Sequence, residues 1–287
     1  MTRIFDALAP RTKENVPGEN GSFVKAFCVI LPILVYYVVD GLVFMCGAKM
    51  VNVLAGMDVS YAGSFVEHSK AWSVAISFIA KIVGVLCVTP LIVNEKPIII
   101  GTKLNQKWTY MSAILGASMA LFVNFIFNIL GVFRADSEAT NVAQSQLSLN
   151  LFWGILLYGI VSPIIEEIVF RGGVYNRFRR NYGIYVSVIM SSLIFGLYHG
   201  NLSQSIYGAF MGLFLAWVYE RFGGLIYPIL VHVAANTAVY TMVTLCGDKY
   251  TYSDIPVLFI IAGVIAILAI IFIAKETKVE KDEREII

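Results

Sequence analysis

Six residues of the 287-residue chain have the types and spacing that hydrolytic chemistry requires. The run Ser162-Pro-Ile-Ile-Glu166-Glu167-Ile-Val-Phe-Arg171-Gly172 carries three charges inside an otherwise apolar stretch. In an α-helix Glu167 and Arg171, four apart, stack on one face as an ion pair. Glu166 points about 100° away and is left over. The plainer alternative is that Arg171 bridges both glutamates as interhelical glue. His199 ends the run Phe195-Gly-Leu-Tyr-His199, and His232 opens His232-Val-Ala-Ala-Asn236, where four-residue spacing puts the imidazole and the carboxamide on one helical face. The third histidine, His68, falls in a polar stretch and reads as an ordinary solvated residue.

If these side chains meet around a water-containing pocket, they can activate water. A carboxylate in apolar surroundings is a better base than one in water, and a neighbouring imidazole can share or relay the proton. Peptide hydrolysis also needs donors aimed at the developing oxyanion. A His N–H and an Asn amide one turn apart can supply two, each typically worth about 2.7–4 kcal/mol. The same set allows a second chemistry, because Glu166, His199 and His232 match a known two-His, one-Glu zinc ligand set with an open fourth position. The HExxH helix of common zinc peptidases is absent from the sequence.

The elements that must position these residues are membrane spans. Strongly apolar residues make up 58% of the chain, charged residues only 14%, and mean hydropathy is +0.77. Ordinary soluble domains carry about 25% charged residues, so a water-soluble enzyme is excluded. A net charge of +2 offers no dense basic face and argues against a nucleic-acid partner. Cys28, Cys46, Cys87 and Cys246 lie in or beside apolar runs without a CxxC pair, as packing residues do. At 1.5 Å per residue a hydrocarbon core of roughly 30 Å needs about 20 apolar residues. That criterion predicts an all-α, polytopic bundle of about eight spans: Ala26–Cys46, Ala71–Val93, Thr109–Gly131, Phe152–Asn176, Gly183–His199, Gln204–Tyr219, Leu225–Leu245 and Ile255–Ala274. The fifth and sixth are short and read as a tilted or re-entrant hairpin. The chain divides into a polar tail (1–25), the bundle (26–274, with the candidate site in 151–244) and a charged tail (275–287).

Basic residues near span ends are retained in the cytosol. With both termini inside, fifteen Lys and Arg fall in cytosolic segments against four, Lys49, Lys70, Arg134 and Lys249, outside. A multi-pass protein of the cell membrane with both ends cytosolic is expected. Of the charges within spans, Asp40 and Lys81 come to similar depth and read as a structural pair. Counting from the cytosolic ends puts Glu166, His199 and His232 at about 20, 24 and 12 Å, a scatter that helix tilt and side-chain reach can absorb.

At these positions the sequence resembles the CPBP family of intramembrane proteases, which includes the type II CAAX prenyl endopeptidases and the Abi-like proteins. The pattern EExxxR, FxxxH, HxxxN appears as Glu166-Glu167-x-x-x-Arg171, Phe195-x-x-x-His199 and His232-x-x-x-Asn236, in order and each on its own span. The resemblance covers about 151–244. It implies an eight-span bundle in which Glu166 and His199 activate water, His232 and Asn236 hold the oxyanion, and Glu167 and Arg171 support them. The expected substrate is a peptide or membrane-associated protein reached within the bilayer. A metal-free mechanism is favoured over zinc because Asn236 suits an oxyanion donor better than a zinc ligand. The alternatives from other classes are a non-catalytic immunity or scaffold protein and, less favoured, an ion-coupled transporter, for which no paired broken helices appear.

Overall fold

The computed structural model describes residues 20–54, 70–93, 104–132, 136–246 and 256–285, and among these every regular element is a helix. In chain order they are α1 (Asn20–Leu54), α2 (Lys70–Ile92), α3 (Gln106–Ile129), α4 (Ser137–Leu147), α5 (Leu151–Gly154), a π-helical stretch Ile155–Val161, α6 (Ser162–Glu167), a second π-helical stretch Ile168–Tyr175, α7 (Asn176–Leu197), α8 (Leu202–Phe222), α9 (Ile226–Cys246) and α10 (Pro256–Glu285). His68 lies outside the described residues.

Seven of the described helices are long and apolar enough to cross a membrane: Phe27–Leu54, Ala71–Ile92, Gln106–Ile129, Leu151–Leu197, Leu202–Phe222, Ile226–Cys246 and Pro256–Thr277. The difference from eight lies in Leu151–Leu197, a 47-residue run holding both the fourth and fifth expected spans. At 1.5 Å per residue it is about 70 Å long, more than twice the hydrocarbon thickness. Gly183 interrupts it with φ 80° and ψ −179°, a conformation that glycine alone adopts readily. The break falls where the fifth span was expected to begin. The helix α4, which the apolar periodicity did not predict, is polar and starts at Asp136.

The described residues form two compact units. The first comprises those of Met1–Lys96 and Ile168–Ser187. Here α1 and α2 approach closely through glycines: a Cβ on Gly47 would stand 2.8 Å from Ile76, and one on Gly84 would stand 3.0 Å from the Tyr36 ring. Asp40 lies within coulombic reach of Lys81, as a structural pair requires. The wholly buried Arg177 resolves a backbone problem. Pro32 has no N–H, so the carbonyl of Cys28, four residues earlier, loses its helical donor. Leu91 lies in the last turn of α2, where carbonyls run out of donors. The Arg177 guanidinium donates to both, through Nη1 to Cys28 O and through Nη2 to Leu91 O at 2.7 Å. Among cytosolic bases Arg177 was expected to be a topogenic charge, yet it is 1% exposed and braces the helices.

The second unit comprises the described residues of Pro97–Glu167 and Val188–Ile287. Small residues again allow close approach. Gly116 of α3 leaves no room for a side chain over the Val231 carbonyl of α9, and Gly196 none over the Ser205 carbonyl of α8. Phe125 and Phe259 stack with centroids 5.0 Å apart, joining α3 to α10. The polar side chains His232, Asn236 and Tyr240 recur every four residues along α9, forming a stripe. The Tyr240 hydroxyl donates to Gln146 O at 3.0 Å, above the short α5. Asp136 caps two helices at once: one carboxylate oxygen accepts from Ala139 N at 3.0 Å, the other from Ser203 N at 2.9 Å at the start of α8. The two backbone N–H groups, Ser203 foremost, hold its carboxyl below the usual carboxylate range.

Candidate active site

The site lies within the second unit, where α6, the end of α7 and the face of α9 carry its residues. His232 is 5% exposed and sits against both glutamates. Its Nδ1 is 2.9 Å from Glu167 Oε1, and its Nε2 is 3.7 Å from Glu166 Oε2. The first is a charge-assisted hydrogen bond. The second exceeds direct bonding distance, and a polar group can meet both atoms only from the side. Glu167 is wholly buried and Glu166 is 8% exposed. Glu167 Oε1 is engaged by His232, across 65 residues of sequence. The segment after Glu167 is π-helical. Arg171 is itself completely buried, within the first unit.

His199 follows the last turn of α7. Its main-chain N–H bonds to Gly196 O, three residues back, which leaves Phe195 O without a helical donor. The side chain supplies one, with Nδ1 2.9 Å from Phe195 O. That bond puts the proton on Nδ1 and leaves Nε2 as an acceptor. Gly200, at φ 80°, lets the chain turn away immediately afterwards. The imidazole is half-buried and lies against Gly208 of α8, where an added Cβ would stand 3.2 Å from Nδ1. The two histidines share one neighbour. The Phe195 ring meets His199 edge-on at 5.1 Å and His232 edge-on at 5.6 Å. Phe195 is thus a common wall, and the FxxxH spacing is its sequence signal.

Asn236 stands one turn beyond His232 on α9, half-buried, and its Nδ2 donates to Tyr158 O at 3.2 Å. Next to it, Thr237 Oγ1 donates to Gly159 O at 3.3 Å. Both acceptors lie in the π-helical stretch Ile155–Val161. Tyr158 and Gly159 were not foreseen as part of the site; their sequence signal is Pro163, five and four residues further on. Among the described residues no group of three or more His, Cys, Asp or Glu side chains is disposed to hold a metal ion.

The chemistry on offer is that of a buried acid facing an imidazole nitrogen, a second imidazole with a free acceptor, and a carboxamide whose nitrogen is aimed by a main-chain carbonyl. Comparison with known proteins places the same segment in a family. Residues 148–238 match the family model described as type II CAAX prenyl endopeptidase Rce1-like, a span that includes all three motifs. A Bacillus subtilis protein named "Putative membrane peptidase YdiL" is 30% identical over 176 residues, covering 60% of this chain and 70% of its own. An Escherichia coli protein named "Uncharacterized 24.3 kDa protein" is 26% identical over 130 residues, covering 43% of this chain and 60% of its own. No solved structure matches. With its motifs inside the matched segment and on apolar helices, the chain belongs to the CPBP family of membrane proteases, that of the type II CAAX prenyl endopeptidases.

Proposed function

We propose that the protein is an intramembrane endopeptidase in which Glu166 and His199 activate water and His232 and Asn236 stabilise the oxyanion. The observation that carries this is the 3.7 Å separation of Glu166 Oε2 and His232 Nε2 inside an apolar bundle. It brings a buried acid and a potential donor side by side, where one bound group can meet both. In the reaction, Glu166 takes a proton from water as the water oxygen attacks the peptide carbonyl. Glu166 hands that proton to His232 Nε2, so the ring carries Nδ1–H on Glu167 and Nε2–H toward the oxyanion, joined by an Asn236 N–H. The proton passes to the departing nitrogen, the C–N bond breaks, and a carboxylate and an amine leave. His199, its Nδ1–H fixed on Phe195 O, uses Nε2 to orient the water.

The substrate is a peptide or a membrane-associated segment, and the family match makes a prenylated C-terminal peptide the first probe. Purified in detergent, the protein is expected to cleave a fluorophore-quencher farnesylated CaaX peptide or, failing that sequence, members of a peptide library read by mass spectrometry. Glu166→Ala and His199→Ala should each abolish cleavage with no change in unfolding temperature. Full activity in either variant would sink the assignment and leave an immunity or scaffold role. The mechanism requires no metal, so strong chelators should leave the rate unchanged; loss that added zinc restores would reverse that part. With fifteen basic residues in one set of loops against four in the other, both termini lie in the cytosol. Reporter fusions at each end would check this.

A further inference from the structure

We infer that Pro163 is a positioning residue for the oxyanion donor: by withholding a main-chain N–H it frees the Tyr158 carbonyl, which then fixes the Asn236 carboxamide with its nitrogen inward. This rests on the hydrolase reading for its catalytic half, whereas the geometric half stands alone.

The hydrogen bonding of the helix leads to it. In the π-helical stretch Ile155–Val161 each N–H reaches five residues back, and its last such bond runs from Ser162 N to Leu157 O. The next N–H in that series would belong to residue 163 and would serve Tyr158 O. In α pitch the same N–H would serve Gly159 O. Residue 163 is a proline, so neither bond exists. Both carbonyls left over are filled by adjacent side chains of α9: Tyr158 O takes Asn236 Nδ2 at 3.2 Å, and Gly159 O takes Thr237 Oγ1 at 3.3 Å.

The consequence concerns orientation. A carboxamide can present either its oxygen or its nitrogen to a given partner, and only nitrogen can donate. A bare carbonyl at Tyr158 accepts one Nδ2–H and repels the amide oxygen, which settles the choice. The second Nδ2–H remains for the oxyanion. The Gly159 position needs the same closeness, since an added Cβ there would stand 2.8 Å from Thr237 Oγ1.

Pro163→Ala returns an N–H to the helix and makes Asn236 compete for its carbonyl. In 15N-asparagine-labelled protein in micelles, with Asn236 assigned through Asn236→Ala, one side-chain amide proton should exchange slowly in the unaltered chain and both rapidly in Pro163→Ala. The same variant should lose about 10²-fold in kcat on the farnesylated CaaX peptide, the loss typical of one oxyanion donor. Its KM and unfolding temperature should hold steady, and adding Asn236→Ala should cost little more. An Asn236 amide still protected in Pro163→Ala would overturn the inference, as would rapid exchange with kcat unchanged. A fall in kcat that merely follows a fall in unfolding temperature would reduce Pro163 to a structural residue and overturn it too. If the unaltered chain cleaves nothing, the hydrolase reading fails, and amide exchange alone still decides whether Pro163 orients Asn236.

Discussion

His232 Nδ1 and Glu167 Oε1 lie 2.9 Å apart in a wholly buried setting, so an acid from α6 sets the orientation of an imidazole on α9. The arrangement is that of an imidazole held by a carboxylate behind it, with the far nitrogen toward Glu166. Glu167 acts through His232 and touches no reacting atom. Glu167→Ala should lower kcat by about 10²-fold with little change in KM, as expected for a mispositioned acid-base or donor group. Glu167→Gln, whose amide oxygen can still accept from Nδ1–H, should retain more activity than Glu167→Ala. Steady-state kinetics of the two variants, side by side, check the order.

The contact of His199 with Gly208 predicts a separation of stability from activity. Alanine is favoured over glycine in a helix by about 1 kcal/mol. A Cβ on Gly208 would stand 3.2 Å from both Gly196 Cα and His199 Nδ1, contacts that a shift of a few tenths of an ångström relieves. Gly208→Ala should therefore change the unfolding temperature little while turning over more slowly. Gly116→Ala should behave differently, because its Cβ would overlap the Val231 carbonyl oxygen beside His232. There both unfolding temperature and rate should fall.

Arg177 and Pro32 should couple. Removing the guanidinium, as in Arg177→Met, leaves the Cys28 and Leu91 carbonyls without a donor at about 1–3 kcal/mol each. Pro32→Ala restores a helical N–H for Cys28 O. The double variant should thus be less unstable than Arg177→Met alone, a non-additivity that denaturation in mixed micelles can measure.

Asp136 supplies an acid-side dependence of stability. Its carboxyl is held below its ordinary 3.8 by the Ser203 and Ala139 N–H groups, so it stabilises the fold fully above that value. The contribution fades as pH falls through the lowered value, where the folded protein must also take up the proton. Asp136→Ala should unfold earlier at neutral pH, and its difference from the unaltered chain should shrink on acidification below about pH 4. Thermal unfolding followed across that range checks the sign.

The positions of the spans were legible from apolar length: Ala71–Val93 was expected and Ala71–Ile92 observed, Leu225–Leu245 expected and Ile226–Cys246 observed. The polar helix Ser137–Leu147 was not legible, because its sequence has no apolar face and it is set by the Asp136 cap and its neighbours. The meeting of Glu166 with His232 followed from rare ionisable types in spans. The bond from His232 to Glu167 was not legible, because no spacing rule links residues 65 apart on separate helices. The bracing role of Arg177 was not legible either: charge position speaks to topology, and only backbone geometry reveals two carbonyls in need of a donor.

The π-helical stretch Ile155–Val161 has a consequence for how this gene can change. A π turn holds one residue more than an α turn, so a single-codon deletion there would let the helix close to ordinary pitch. The residue lost would be the extra one of the widened turn, so the side chains beyond keep their register and Glu166 and Glu167 stay on the face toward α9. What disappears is the widening itself, and with it one of the two spare carbonyls that Asn236 and Thr237 fill. A shortened segment would therefore keep its acids and lose the grip that aims its carboxamide.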